Sequence, residues 1–145
     1  MTENLVATAQ IDIDAAPPRV WQALTDPAQI EQYMFGSKVE TDWQPGSPIK
    51  WNGEWEGKPF TDKGEIVEVE PRRRLVLTHY SPMSGQEDRP ENYHTLTYEL
   101  EARDDGTKLS LSQDHNRNAD EVKHSTETWS AMLAGLKDVV ERDPN

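Results

Sequence analysis

The side chains best suited to acid–base or metal chemistry are four histidines, His79, His94, His115 and His124. His79 and His94 flank a long polar loop and would face each other if the segments around it pair as a hairpin. His115 and His124 bracket the start of a C-terminal helical stretch. None has a metal-ligand spacing of the His-Glu-x-x-His kind, so no metal site is assigned. The chain has no cysteine, which removes thiolate ligands, cysteine nucleophiles and disulfides. No nucleophile elbow, phosphate-binding glycine loop or Ser-His-Asp triad is present. The 27 carboxylates are too many to single out a catalytic pair. No catalytic residue and no cofactor is assigned. What remains is a set of aromatic and amide side chains that suit non-covalent binding, Trp51, Tyr98, Gln113 and Trp129. Tyr and Trp give apolar area plus a polar handle, and a buried Gln needs partners that a ligand can supply.

The elements that must position these residues follow from the pattern along the chain. Leu5 to Ile13 alternates as a strand. Pro17 and Pro18 suit a first helical turn, and Val20, Trp21 and Leu24 make one apolar stripe. Asp26-Pro27-Ala28-Gln29 reads as a helix N-cap, a proline at N1 and a Gln at N3. A first short helix thus stops near Thr25 and a second starts at Pro27, with Gly36 ending it. Strands are expected at Lys38 to Trp43, Ile49 to Trp55, Phe60 to Glu70, Leu75 to Tyr80 and Tyr93 to Glu101. A last one carries Leu109, Leu111 and Gln113. Asn52-Gly53 reads as a bulge or tight bend, and Asp104-Asp105-Gly106 as a hairpin turn. Asn118-Ala119-Asp120-Glu121 caps a helix running to about Glu141, with Val122, Trp129, Met132, Leu133, Leu136, Val139 and Val140 as its stripe. The first half of this helix is polar. Either it overhangs into solvent, or Ser125 and Thr128 face the mouth of a cavity.

At 145 residues the chain is read as one domain, residues 1–145. Its net charge of −12 and pI of about 4.7 repel phosphate backbones and argue against nucleic acid as a partner. The one basic cluster, Arg72-Arg73-Arg74, is expected at a strand edge, where charge discourages unwanted pairing. Ile, Leu, Val and Phe make up just under a fifth of the chain, a composition bordering on the disordered class. Five Trp and four Tyr offset this. A thin aliphatic core spread over many strands fits a protein with a cavity. The N-terminal stretch shows no signal-peptide pattern, and no apolar run approaches the ~18 residues of a membrane span. The expectation is a cytoplasmic protein without membrane insertion.

The order strand, two short helices, six strands and long C-terminal helix resembles the helix-grip fold of the START-like (SRPBCC) superfamily, which is also the birch-pollen-allergen-like fold. Ile13-x-Ala15-x-Pro17-x-x-Val20-Trp21-x-Ala23-Leu24-Thr25-Asp26-Pro27 resembles the opening of the family named for the activator of the heat-shock-protein-90 ATPase. Trp43-x-Pro45-Gly46-Ser47, Gly64-x-Ile66-x-Glu68-Val69-x-Pro71-x-Arg73-x-Leu75, Gly106-Thr107-x-Leu109-x-Leu111 and Trp129-x-x-Met132-Leu133-x-x-Leu136-Lys137 are similar to its later signatures. The resemblance implies an α+β fold: a curved antiparallel sheet of about seven strands gripping the long helix, with a cavity between them. Members often carry His where this chain has Gln113, and an aromatic where it has His79.

Alternation points Ile49 and Trp51, Leu75, Leu77 and His79, Leu96, Tyr98 and Leu100, and Leu109, Leu111 and Gln113 inward. Tyr33 and Phe35 would close one end, and Trp129 and Met132 would form the roof. The ligand-binding set is therefore Tyr33, Phe35, Trp51, Leu77, His79, Tyr98, Gln113, Trp129 and Met132. The function expected is binding of a small hydrophobic or aromatic molecule, such as a lipid or polyketide, in the cavity. One alternative implied by the resemblance is a co-chaperone module acting on a chaperone ATPase, with a role in stress response. Another is a cyclase- or hydrolase-type enzyme, in which His79, His94 and Gln113 would converge. The loop Ser81–Glu91 is either a lid or a polar hairpin tip.

Overall fold

The computed structural model describes residues 5–34, 36–55, 57–81, 87–89, 92–114, 116 and 118–142. Elements run in the order β1 (Ala7–Ile13), α1 (Pro17–Thr25), α2 (Pro27–Tyr33), β2 (Lys38–Glu40), β3 (Pro48–Trp55), β4 (Lys58–Glu70), β5 (Arg74–His79), β6 (His94–Arg103), β7 (Gly106–Gln113) and α3 (Ala119–Arg142). The strands form one antiparallel sheet of seven in the order β1-β7-β6-β5-β4-β3-β2, curved around α3. This is the helix-grip fold. Each link from β2 to β7 joins neighbouring strands, so the one non-local pairing is β1 with β7, Ala7 opposite Gln113 and Ile13 opposite Thr107.

Local chemistry sets the ends of these elements. Asp26 Oδ1 accepts from the Ala28 amide at 3.1 Å, and its Oδ2 accepts from Gln29 Nε2 at 2.8 Å, so one side chain caps α2 and braces it. Asn118 Oδ1 accepts from the Glu121 amide at 2.8 Å and starts α3. β2 is shorter than the expected Lys38 to Trp43. Thr41 Oγ1 and Asp42 Oδ1 take the amides of Trp43 and Gln44, an alternative to ladder hydrogen bonds, and Trp43 turns into the left-handed region at φ 60°. The basic cluster also lies elsewhere than expected. Arg72, at φ 68°, and Arg73 sit in the β4–β5 turn. Arg74 lies inside β5 and pairs with Glu68 and Glu99 on the strands either side.

No irregularity marks Asn52-Gly53, which stay in register with Thr61 and Phe60. Glycine at position 53 lets the Phe60 ring lie over the strand, since a Cβ there would come within 2.6 Å of the ring and push it aside. The bulge is on β4 instead, between Ile66 and Glu68, and it turns Val67 out to solvent. Just before it, a Cβ on Gly64 would lie 1.8 Å from the Thr78 carbonyl oxygen, a clash with backbone that no rotamer relieves.

The core lies between the concave face of the sheet and the three helices. Ile13, Ile66, Leu96, Leu109 and Leu111 from the sheet meet Met132, Leu133, Leu136 and Val140 of α3, all at most 2 % exposed. Each such Leu contributes about 1.5–3 kcal/mol by burial. The close backbone approaches of α3 are to β1, α1 and α2. The sheet curls away from the helix toward β3, and large side chains span the widening gap. No helix among the described residues is long and apolar enough to cross a membrane.

Gly64→Ala is expected to cost about 3 kcal/mol or more, because relief requires parting β4 from β5. Urea unfolding at neutral pH checks this; a midpoint within error of the parent would show that the strands have room to separate.

Candidate functional site: the gap between sheet and helices

Three groups of side chains occupy the gap. The first surrounds a small, partly open void of about 20 Å³, room for a single water. Tyr33 and Met34 from the end of α2, Trp43 from the β2–β3 connection, Trp51 on β3, Leu77 on β5 and Tyr98 on β6 line it, with Leu24, Ile30, Ile49 and Leu75 behind them. The hollow expected from the thin aliphatic core is thus nearly filled, because aromatic side chains take the volume that aliphatic ones leave. Tyr33 and Tyr98 are both buried. Tyr33 donates its hydroxyl to the Ala23 carbonyl at 2.8 Å, tying α2 to α1. Tyr98 has no hydrogen bond from its hydroxyl to any described residue. Burial pushes the Tyr98 phenol far above its ordinary range. Burial also raises Tyr33, helped by the neighbouring Tyr98 and Asp26.

The second group is a buried polar network at the start of α3. Gln113, at the end of β7, donates from Nε2 to Asn116 Oδ1 at 3.0 Å and to Ser125 Oγ at 3.1 Å. Its Oε1 accepts from Trp129 Nε1 at 2.8 Å. Asn116 donates to the carbonyls of Leu5 and Gln113 at 2.8 and 2.9 Å. Every donor of the Gln113 amide is used, and protein groups use them. Ser125 is buried within this network, while Lys123 and His124 beside it are exposed.

The third group is a pair. His79 Nε2 and Asp62 Oδ2 are 2.9 Å apart, and the His79 ring packs edge-on against Trp51 at 5.1 Å between centroids.

The structure therefore divides the expected site residues. Tyr33, Trp51, Leu77 and Tyr98 meet at the void. Gln113 and Trp129 bond each other away from it, and Met132 is fully buried on α3. His79 touches Trp51 but does not line the void. Phe35 lies outside the described residues, as do His115 and residues 82–86, 90 and 91 of the expected lid. Around them, Asp88 pairs with Lys63 and accepts from the Tyr93 hydroxyl, and Tyr93 stacks on Tyr80 at 5.2 Å. His79, His94 and Gln113 do not bond one another: His94 Nδ1 donates to the Asp114 carbonyl at 2.8 Å, and the other two have the partners above. Among the described residues no three metal-ligating side chains cluster. Sequence reasoning missed Met34, Trp43 and Asp62. Asp62 was findable, since alternation on β4 puts it in register with Trp51. Trp43 was not, because its placement depends on a left-handed residue in an apparent strand. A larger open concavity, about 980 Å³, lies at the far end of β1 from Gln113, but its rim of Asp12, Arg103, Asp104, Lys108 and Lys137 is charged and unrelated to the gap.

A family model described as activator of Hsp90 ATPase homolog 1-like protein matches residues 14–141. The chain belongs to this family. Proteins of this START-like kind are known for ligand binding in a cavity. The solution structure of ChR145 from Cytophaga hutchinsonii is similar at 44% identity and TM-score 0.85, over 98% of this chain and 97% of that one. Protein MLL2253 from Mesorhizobium loti, at 21% identity, TM-score 0.78 and coverage of 95% and 98%, shows the same fold. So does the Aha1 dimer from Colwellia psychrerythraea, at 20% identity, TM-score 0.74 and coverage of 94% and 96%. No curated protein matches the chain.

Two outcomes follow from these side chains. Gln113→Leu leaves Trp129 Nε1 without its acceptor, while Ser125 and Asn116 keep their bond to each other, and it is expected to cost about 1–3 kcal/mol, read by chemical denaturation. A loss below about 0.5 kcal/mol would mean that the network is not the tie it looks to be. The raised tyrosines add stability that is complete below the ordinary phenol value of 10.0. Above it the unfolded chain releases protons that the native state keeps. Stability should be flat to about pH 9 and then fall by about 1.4 kcal/mol per pH unit for each buried tyrosine. Tyr98→Phe should halve the slope; an unchanged slope would show that Tyr98 ionises freely when folded.

Proposed function

We propose that the protein binds a small aromatic or apolar molecule at the Tyr33–Trp51–Tyr98 void. The observation that carries this is a small space lined by aromatic rings, with the Tyr98 hydroxyl, unbonded among the described residues, in its wall. Such a lining offers apolar area for affinity and a sparse polar group for orientation. A benzene-sized guest needs about 150 Å³, so binding must enlarge the void. Met34 and Trp43 are the wall residues placed to move. Both are only half-buried, and neither lies in a regular element. Met34 closes α2 at φ −104°, ψ 42°. Trp43 holds a left-handed φ that costs roughly 1–2 kcal/mol, strain that swinging outward would relieve. Methionine adapts readily to new neighbours. The ligand would enter between these two and stack against Trp51.

The co-chaperone alternative draws on the family's name, and the surface adds nothing to it: the exposed large apolar side chains among the described residues are Val6 and Val67.

Titration with 1-methoxynaphthalene, followed by two-dimensional NMR, tests the proposal. Saturable shifts are expected at the Trp43 and Trp51 indole groups and the Met34 methyl, with the Lys137 region unmoved. Absence of any shift up to the solubility limit would remove the proposal.

A further inference from the structure

The Asp62–His79 pair has acceptors to spare. The carboxylate accepts from Nε2, so a neutral imidazole here carries its proton on Nε2 and a lone pair on Nδ1. Among the described residues Nδ1 is buried with no partner, and so is the second carboxylate oxygen, Asp62 Oδ1. A buried polar atom without a partner costs about 1–3 kcal/mol, and folded proteins keep few of them. Two on one hydrogen-bonded pair mark a place where something else belongs. The carboxylate oxygen is an acceptor, and so is Nδ1 of a neutral imidazole, so a donor fits both.

The strand register explains why the pair exists. Lys63 bridges Tyr80, and Ile66 pairs with Leu77. Gly64 therefore lies across from His79, and Asp62 is its diagonal neighbour on the same face. With no side chain at Gly64, the imidazole is free to lean over β4 toward Asp62. The side chains of His79 and Asp62 keep 17% and 15% exposure, so the pair lies close to the surface, and a small shift of the imidazole would open the buried Nδ1 and Oδ1 to a ligand. Trp51 joins this pair to the void: it lines the void and packs against the His79 ring at 66°.

We propose that Asp62 and His79 form a hydrogen-bond-accepting subsite for the hydroxyl of a phenolic ligand whose ring lies against Trp51. Asp62 orients the imidazole, and Nδ1 receives the hydroxyl proton in a hydrogen bond. This rests on the binding role proposed above and narrows the ligand class from aromatic molecules to phenols.

Calorimetric titration of the protein with 1-naphthol and 1-methoxynaphthalene, two ligands of one ring system, tests it. 15N spectra of the histidine side chains accompany the titrations. 1-Naphthol is expected to bind about tenfold tighter, the worth of one hydrogen bond to a previously unpaired acceptor. His79 Nδ1 should shift with 1-naphthol alone, and His79→Phe should bring the two affinities together. Equal affinities in the parent protein overturn the subsite and leave the binding role standing; binding of neither ligand overturns both. A preference for 1-naphthol that leaves Nδ1 unmoved, or that survives in His79→Phe, assigns the hydroxyl to another group such as Tyr98 and also overturns the subsite. The spectra of the parent protein decide the matter even if His79→Phe does not fold.

Discussion

The position of α3 depends on one side-chain amide. Gln113 ends β7, where the sheet is anchored by its pairing with β1, and its donors and acceptor are taken by Asn116, Ser125 and Trp129. Two of these are on α3. A hydrophobic stripe alone would let a helix slide or roll on a sheet, because apolar burial has no direction. Hydrogen bonds in a buried site do have direction, and they fix the register of α3 at its otherwise polar end. Asn116 extends the tie to the Leu5 carbonyl, so the N-terminal strand, the last strand and the helix are locked at one point.

With that end fixed and the other half of α3 packed on β1, the geometry of the gap follows. A curling sheet and a straight helix cannot stay in contact along their whole width. They part toward β3, and the chain fills the wedge with its largest side chains, Trp51, Tyr98 and Tyr33. Rings pack such a space with flat faces and leave a small residual void. Two residues at its rim, Met34 and Trp43, hang from irregular backbone. Walls on regular elements and a rim on irregular ones thus arise from one mismatch of shapes.

How far the sequence reveals this depends on which signals are local. The elbow from Ala15 to Pro27, the capped start of α3 at Asn118 and the hairpin at Asp104-Asp105-Gly106 are each written in a few adjacent residues, and each stands where the pattern puts it. Leu75 and Leu77 face the gap as read from the sequence, although Val76 between them is buried as well and burial in β5 does not alternate. Failures come where a side chain overrules the backbone. Thr41 and Asp42 cut β2 short, and Gly53 marks the Phe60 ring and leaves the strand regular. Gln113 is legible as a buried amide, but its partners come from residues brought together only by the final fold. Asp62 looks like one more solvating carboxylate until its neighbours across the sheet are known.

The pairing of β1 with β7 bears on how the molecule comes to be made. Every other strand finds its partner next to it in the sequence, and those hairpins can form as soon as the chain supplies them. β1 must wait, since Ala7 pairs with Gln113 and the other five strands and both short helices lie between them. During synthesis the first strand and the proline elbow emerge early with nothing to pair with, and the sheet and α3 close on them last. Contacts that span the chain carry the largest loop-closure entropy and slow folding. The two ends of the polypeptide are thus the final pieces placed, and the Gln113 knot that unites them is tied only when folding is complete.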